Sequence, residues 1–133
     1  MDPVERIYRE WDECLARKDT AAIVALYAPD AVFESPLVPH LLQSERGVLR
    51  GHAELRAFFD KLAQRKPAVR GRYRAGYLTD GRTLFWEYPR EAPGAEQMDL
   101  AEVMEIEGGL IRRHRVYWGW FAVGVLQRDA YRR

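Results

Sequence analysis

Apolar residues recur at three- and four-residue intervals from Val4 through Ile7, Tyr8, Trp11 and Leu15, so the spacing predicts an amphipathic helix over residues 3–17. Asp2 caps it, and Pro3 suits the first turn, where a missing N–H leaves no bond unmade. Lys18-Asp19-Thr20 interrupts the period. Asp19 or Thr20 then caps a second short helix bearing Ile23, Leu26 and Tyr27, which Pro29-Asp30 ends. Residues 31–35 read as a short strand stopped by Pro36. Residues 36–51 hold two prolines and two glycines and no clean period, so they are expected to form a loop with a short turn or strand, of the kind that serves as a lid. A third helix is predicted from about residue 52 to 65, with Leu55, Phe58, Phe59 and Leu62 on one face and Pro67 after its end.

From residue 69 the period changes to two. Strand 69–78 alternates Val69, Tyr73, Ala75 and Tyr77 with Arg70, Arg72 and Arg74. Asp80-Gly81 predicts a two-residue hairpin turn into strand 82–89, which sets Leu84, Trp86 and Tyr88 against Phe85 and Glu87. A Pro93-Gly94 loop precedes strand 97–106, and Glu107-Gly108-Gly109 turns the chain into a last strand, roughly 110–122. Helices first and an antiparallel meander afterwards predict one α+β domain over residues 1–133, with three helices covering one sheet face.

Candidate chemistry comes from strand 97–106. Its even positions are Met98, Leu100, Glu102, Met104 and Ile106, so a single carboxylate interrupts an otherwise apolar face. An ionised carboxylate buried without partners is costly, and Glu102 therefore calls for a partner, a raised pKa or a ligand. A three-residue turn pairs Ile106 with Leu110, sets Glu102 directly opposite His114, and keeps Val116, Trp118 and Trp120 inside. A two-residue Gly-Gly turn would instead put Arg115 opposite Glu102 and turn His114 outward, so the first register is the expected one. A facing carboxylate and imidazole form either an acid–base pair or a hydrogen-bonded pair that only fixes the register.

A chain of 133 residues with 47% hydrophobic and 31% charged composition is long enough for one packed core. A net charge of +1 gives no case for nucleic acid, and Arg70, Arg72, Arg74, Arg113 and Arg115 are expected to pair with Asp99 and Glu105. No apolar run is long enough to span a membrane, and the N-terminus reads as an acidic helix and not a signal peptide. The single cysteine, Cys14, excludes an internal disulfide and reads as core packing in a reducing, cytoplasmic compartment. Four tryptophans, seven tyrosines and five phenylalanines suit a roomy apolar cavity or an interface. His40, His52 and His114 lack metal-ligand spacing, so no metal site is expected, and without a phosphate-cradling loop no cofactor is expected either.

The segments DTAAIVALYAPDAVFESP, GHAELRAFF and IRRHRVYWG, in that order, resemble the nuclear transport factor two-like superfamily, and within it the SnoaL-like polyketide cyclases and ketosteroid isomerases. The resemblance spans nearly the whole chain. It implies a cone: a strongly curved sheet wrapped round a deep pocket, closed by the N-terminal helices, with a homodimer formed through the outer sheet face. Ketosteroid isomerases use a carboxylate base with a tyrosine and a protonated acid at the oxyanion. On the matching motifs the base falls on Ser35, which cannot shuttle a proton unaided, the tyrosine on Trp11, and the acid on Glu102. Gly119 stands where many relatives have an aspartate after Tyr-Trp, and His114 falls where relatives line the pocket.

The resulting candidates are Glu102 and His114 for catalysis, and Tyr8, Trp11, Ser35, His40, Tyr73, Trp86, Met104 and Trp118 for substrate contact. The expected activity is cofactor-free isomerisation, cyclisation or dehydration of a hydrophobic cyclic carbonyl compound. The alternative is a non-catalytic ligand-binding or dimeric assembly domain of the same fold.

Overall fold

The computed structural model describes residues 1–64, 74, 76–88, 97 and 99–128 of the chain. Helix α1 is Pro3–Arg17, capped by the Asp2 carboxylate, and it buries the expected stripe of Val4, Ile7 and Trp11 together with Cys14. Asp19 caps α2 by accepting from the Ala22 N–H. That helix is Thr20–Ala25, and the chain is already extended at Tyr27, so the Pro29-Asp30 break expected to end a helix lies inside strand β1, Tyr27–Glu34. A bulge accommodates it: four residues lie between Tyr27 and Val32, where the neighbouring strand has only Arg112 between Ile111 and Arg113. Proline lacks a ladder donor and is tolerated in a strand at such a place.

The presumed loop 36–51 holds two elements, helix α3 (Leu37–Leu42) and strand β2 (Val48–Arg50). The Ser35 hydroxyl accepts from the Leu37 N–H at the start of α3, and Leu37, Val38 and Leu41 are buried. Helix α4, Gly51–Gln64, buries Leu55, Phe58 and Phe59 as the period required. Of strand 69–78 only Leu78–Thr79 (β3) is a described strand; Tyr73 and most of that segment, with Met98 and the Pro93-Gly94 loop, lie outside the described residues. The Asp80-Gly81 turn is wider than two residues. Thr79 pairs with Leu84, and Asp80 Oδ1 accepts from the N–H groups of both Arg82 and Thr83, which curls four residues around one carboxylate. Strands β4 (Thr83–Glu87), β5 (Leu100–Glu107) and β6 (Leu110–Trp118) follow, and the chain turns into helix α5 (Trp120–Gln127) where a longer last strand was expected.

Among the described residues the strands form one curved, open sheet in the order β2-β1-β6-β5-β4-β3. The meander is antiparallel, but β6 also pairs with β1, and that contact is parallel. Helices α1, α2 and α4 pack with the sheet around a core rich in aromatic rings, including Trp11, Tyr27, Phe33, Phe58, Phe59 and Trp86. No helix of the described residues is long and apolar enough to cross a membrane.

The β5–β6 register corrects the expectation that Glu102 lies directly opposite His114. Gly108 and Gly109, both at positive φ, make a two-residue turn, so Glu107 pairs with Leu110 and Ile106 with Ile111. That register alone would turn His114 outward. A bulge then places one extra residue on β6, so Arg112 and Arg113 are both exposed and the inner face resumes at His114. His114 pairs with Met104, and Glu102 pairs with Val116. The two polar residues therefore meet diagonally, one rung apart, a distance long side chains span.

Candidate active site

Glu102 is 4% exposed and His114 0%, and the two hydrogen-bond between Oε1 and Nε2 at 2.7 Å. Their neighbours extend the contact into a chain. The Tyr88 hydroxyl, on the opposite diagonal just past β4, donates to Glu102 Oε2 at 2.5 Å. Nδ1 of His114 lies 2.7 Å from the Tyr27 hydroxyl, and the Trp11 indole N–H donates to that same hydroxyl oxygen at 3.1 Å. Five residues from α1, β1, β4–β5 and β6 thus connect through the core. His114 is also ringed by Trp11, Tyr27, Phe33 and Trp86, with ring centres between 4.9 and 6.4 Å away.

Burial pushes the Tyr27 hydroxyl well above a tyrosine's ordinary range, and the Glu102 charge adds to the rise against the opposing Trp11 hydrogen bond. In the unfolded chain this phenol ionises near pH 10, so its stabilisation is complete below that pH and is lost as the pH rises beyond it. Urea denaturation from pH 8 to 11 should show this loss, with a Tyr27 contribution approaching about 1.4 kcal/mol per pH unit at the alkaline end. The buried Cys14 thiol, also raised chiefly by burial, adds a fall of the same sign. The Tyr27 share is therefore the difference from a Tyr27→Phe chain, whose alkaline limb should be flatter. Parallel limbs would mean the phenol is not held protonated.

A small cavity of about 50 Å³ lies against Glu102. Its walls include Trp11, Ser35, Phe33, Tyr88 and Trp118, and Glu102 is the one charged group among the residues lining it. Of the substrate-contact candidates, Trp11, Ser35 and Trp118 therefore reach this space. Trp86 and Met104 are core residues on the inner sheet face, paired with Glu102 and His114 and absent from the cavity wall. Tyr8 packs on Tyr77 and Trp86 under the Arg74 guanidinium, 3.8 Å above its ring, and donates to the Gly76 carbonyl. His40 sits half-buried on α3 away from the wall, and Tyr73 lies outside the described residues. Trp11 lines the cavity, but its N–H, expected to orient a ligand, is already engaged by Tyr27. Ser35 likewise uses its hydroxyl to receive the α3 amide. Among the described residues no three His, Cys, Asp or Glu side chains converge to hold a metal ion.

Two polar members of this site, Tyr27 and Tyr88, were not singled out from the sequence. Tyr88 was legible in principle, because it shares the inner face with Leu84 and Trp86 and a phenol there needs a partner. Tyr27 was hidden by its assignment to a helix. At Gly119 an added Cβ would lie 2.0 Å from Oδ2 of Asp99, so the carboxylate beside this position comes from the next strand. Asp99 accepts from the Phe121 and Ala122 N–H groups and caps α5, Arg74 pairs with Asp12, and Arg70 and Arg72 lie outside the described residues. Arg115 does pair with Glu105, as expected.

A curved open sheet with helices over one face and a carboxylate facing the enclosed space defines a protein of the nuclear transport factor two-like fold. The chain belongs to the SnoaL-like domain family, whose model matches residues 7–114. It is similar in structure to a SnoaL-like protein of unknown function from Burkholderia thailandensis, at 18% identity and a TM-score of 0.67, over 88% of this chain and 94% of that one. It is similar also to a steroid delta-isomerase from Pseudomonas aeruginosa, at 18% identity and a TM-score of 0.66, over 98% and 90% of the two chains. A third relative is SalBIII, an epoxide hydrolase/cyclase-like enzyme of pyran ring formation in salinomycin, at 20% identity and a TM-score of 0.61, over 88% and 91%. At these identities the likeness carries the fold. No curated protein matches the sequence significantly.

Proposed function

We propose that the chain is a small acid–base enzyme acting on an uncharged, largely hydrocarbon molecule with a carbonyl or ether-type oxygen, with Glu102 as the base. The observation that carries this reading is the placement of Glu102: one carboxylate, held by two donors, in a wall otherwise made of aromatic and aliphatic side chains and the Ser35 and Tyr88 hydroxyls. No cationic side chain stands among those lining residues, which disfavours phosphate- or carboxylate-bearing substrates. Tyr88 gives its one proton to Glu102, so its part is to hold the base beside the cavity it lines. The relatives named as a steroid delta-isomerase and as an epoxide hydrolase/cyclase-like enzyme support isomerisation or ring closure as the class of chemistry.

A cavity of about 50 Å³ has room for a water molecule or two, whereas small-molecule sites measure roughly 300–1,000 Å³, so binding must widen it. Titration with neutral cyclic ketones, followed by tryptophan fluorescence, tests the reading. Saturable quenching, lost on Trp118→Phe, is expected. The second reading, an assembly domain that dimerises through its outer sheet face, draws on Tyr117, 56% exposed beside the Arg115–Glu105 pair. Silence toward every ketone, with a dimer in sedimentation that Tyr117→Glu dissociates, would favour it over catalysis.

A further inference from the structure

Hydrogen-bond counting gives the chain of polar groups behind Glu102 a direction. An indole N–H can only donate, so at the Trp11–Tyr27 contact the phenol oxygen accepts. The phenol then has one proton to place. Tyr27 is 1% exposed, and the acceptor within reach is Nδ1 of His114. Were Nδ1 protonated, the Tyr27 oxygen would take two N–H donors and leave its own O–H without an acceptor in an apolar core. An orphaned buried donor disfavours such a state by roughly ten- to a hundredfold. Nδ1 is thus the acceptor, Nε2 holds the ring proton, and that proton goes to Oε1 of Glu102.

We propose that Tyr27 is a positioning residue for Glu102: its hydroxyl, oriented by Trp11, holds His114 as the neutral Nε2–H tautomer, and His114 in turn holds the carboxylate. Every donor in the set points toward Glu102, with Tyr88 arriving from the other side. The carboxylate is where the chain of protons ends. His114, absent from the cavity wall, is an anchor for the base and does not exchange protons with a substrate. The backbone reinforces the placement of Tyr27. Nε2–H of His52, in the first turn of α4, donates to the Tyr27 carbonyl at 2.8 Å, and Tyr27 pairs with Ile111, next to the bulge at Arg112 that returns His114 to the core. The catalytic meaning of this arrangement rests on Glu102 being the base; the tautomer does not.

Long-range proton–nitrogen correlation spectra of the full chain, labelled at histidine and recorded at neutral pH without ligand, test the proposal. His40→Gln and His52→Gln chains assign the three rings. The wild-type His114 ring should show one protonated nitrogen, Nε2, and an Nδ1 signal typical of a hydrogen-bond acceptor. In Tyr27→Phe the Nε2–H should persist while the Nδ1 signal moves to the position of an acceptor without a donor. A ring protonated at Nδ1, alone or together with Nε2, in the wild-type chain would overturn the proposal, as would an Nδ1 signal that Tyr27→Phe leaves in place. The wild-type spectrum decides even if the variant fails to fold. Because no substrate is present, the outcome is separate from whether Glu102 turns anything over.

Discussion

Glu102→Gln is expected to lower turnover by about 10²–10⁴-fold, the range a positioned general base contributes, while ligand affinity changes little. The substitution keeps the shape of the side chain and removes its ability to take a proton. The local hydrogen bonds are also kept in part. The new amide oxygen can accept from His114 Nε2–H, and the Tyr88 hydroxyl, at Oε2 in the parent chain, can turn to accept from the amide nitrogen. Exchanging a charged acceptor for a neutral one should still cost about 1–3 kcal/mol of folding stability. Steady-state rates with any ketone that quenches the tryptophan signal, measured beside affinity and urea unfolding, separate these effects. A variant that turns over at the parental rate would remove Glu102 from the chemistry and leave it a structural carboxylate.

The second large effect falls on stability. Gly119→Ala should destabilise the domain by about 2–4 kcal/mol, combining a lost helix cap with overpacking against backbone. Gly119 has an ordinary φ of −79°, so its need is for space and not for a special backbone conformation. An added Cβ would lie 2.0 Å from the Asp99 carboxylate and 2.8 Å from its carbonyl oxygen, and the carbonyl cannot swing away as a side chain can. Displacing the carboxylate frees the Phe121 and Ala122 N–H groups at the start of α5. Urea unfolding of Gly119→Ala, Asp99→Ala and the double variant measures the coupling. The double variant should lose less than the two single losses together, because both remove the same cap. Strict additivity would mean the glycine is required for some other reason.

The sequence carried α1 and α2 through their capped starts and α4 through its apolar stripe, and α1 matches its expected limits at both ends, whereas α3 and α5 lie where a loop and a strand were expected. Glu102 was legible as the odd residue of an apolar face, and His114 as its partner. The path from one to the other was not, because two departures cancel. The Gly-Gly turn and the bulge at Arg112 each reverse the side-chain parity, so a simpler three-residue turn reaches the same inner face by a different register. The first half of strand β1 is not legible in the sequence because Pro29-Asp30 is ordinarily a breaker, and only pairing with a strand some eighty residues later shows that a bulge absorbs it. Tyr27 was lost with it. The volume beside Glu102 was out of reach for a different reason: it depends on how aromatic rings interlock, and composition cannot distinguish rings that line a space from rings that fill it.

The sheet order has a consequence for how the protein is made. Among the described strands β6 leaves the ribosome after all the others, yet it sits between β1 and β5 in the middle of the sheet. At about 5–20 residues per second, several seconds of synthesis separate Tyr27 from the imidazole it contacts. Until residues 110–118 arrive, β1 with its β2 partner and the growing β4–β5 hairpin each present an open edge, the kind of surface that pairs with the wrong chain. Closure of that seam joins the two halves of the sheet and completes the buried polar chain in one event. A nascent chain halted before Leu110 therefore has all of α1 to β5 and none of the Glu102–His114 contact, so the buried polar chain forms only once β6 has been made.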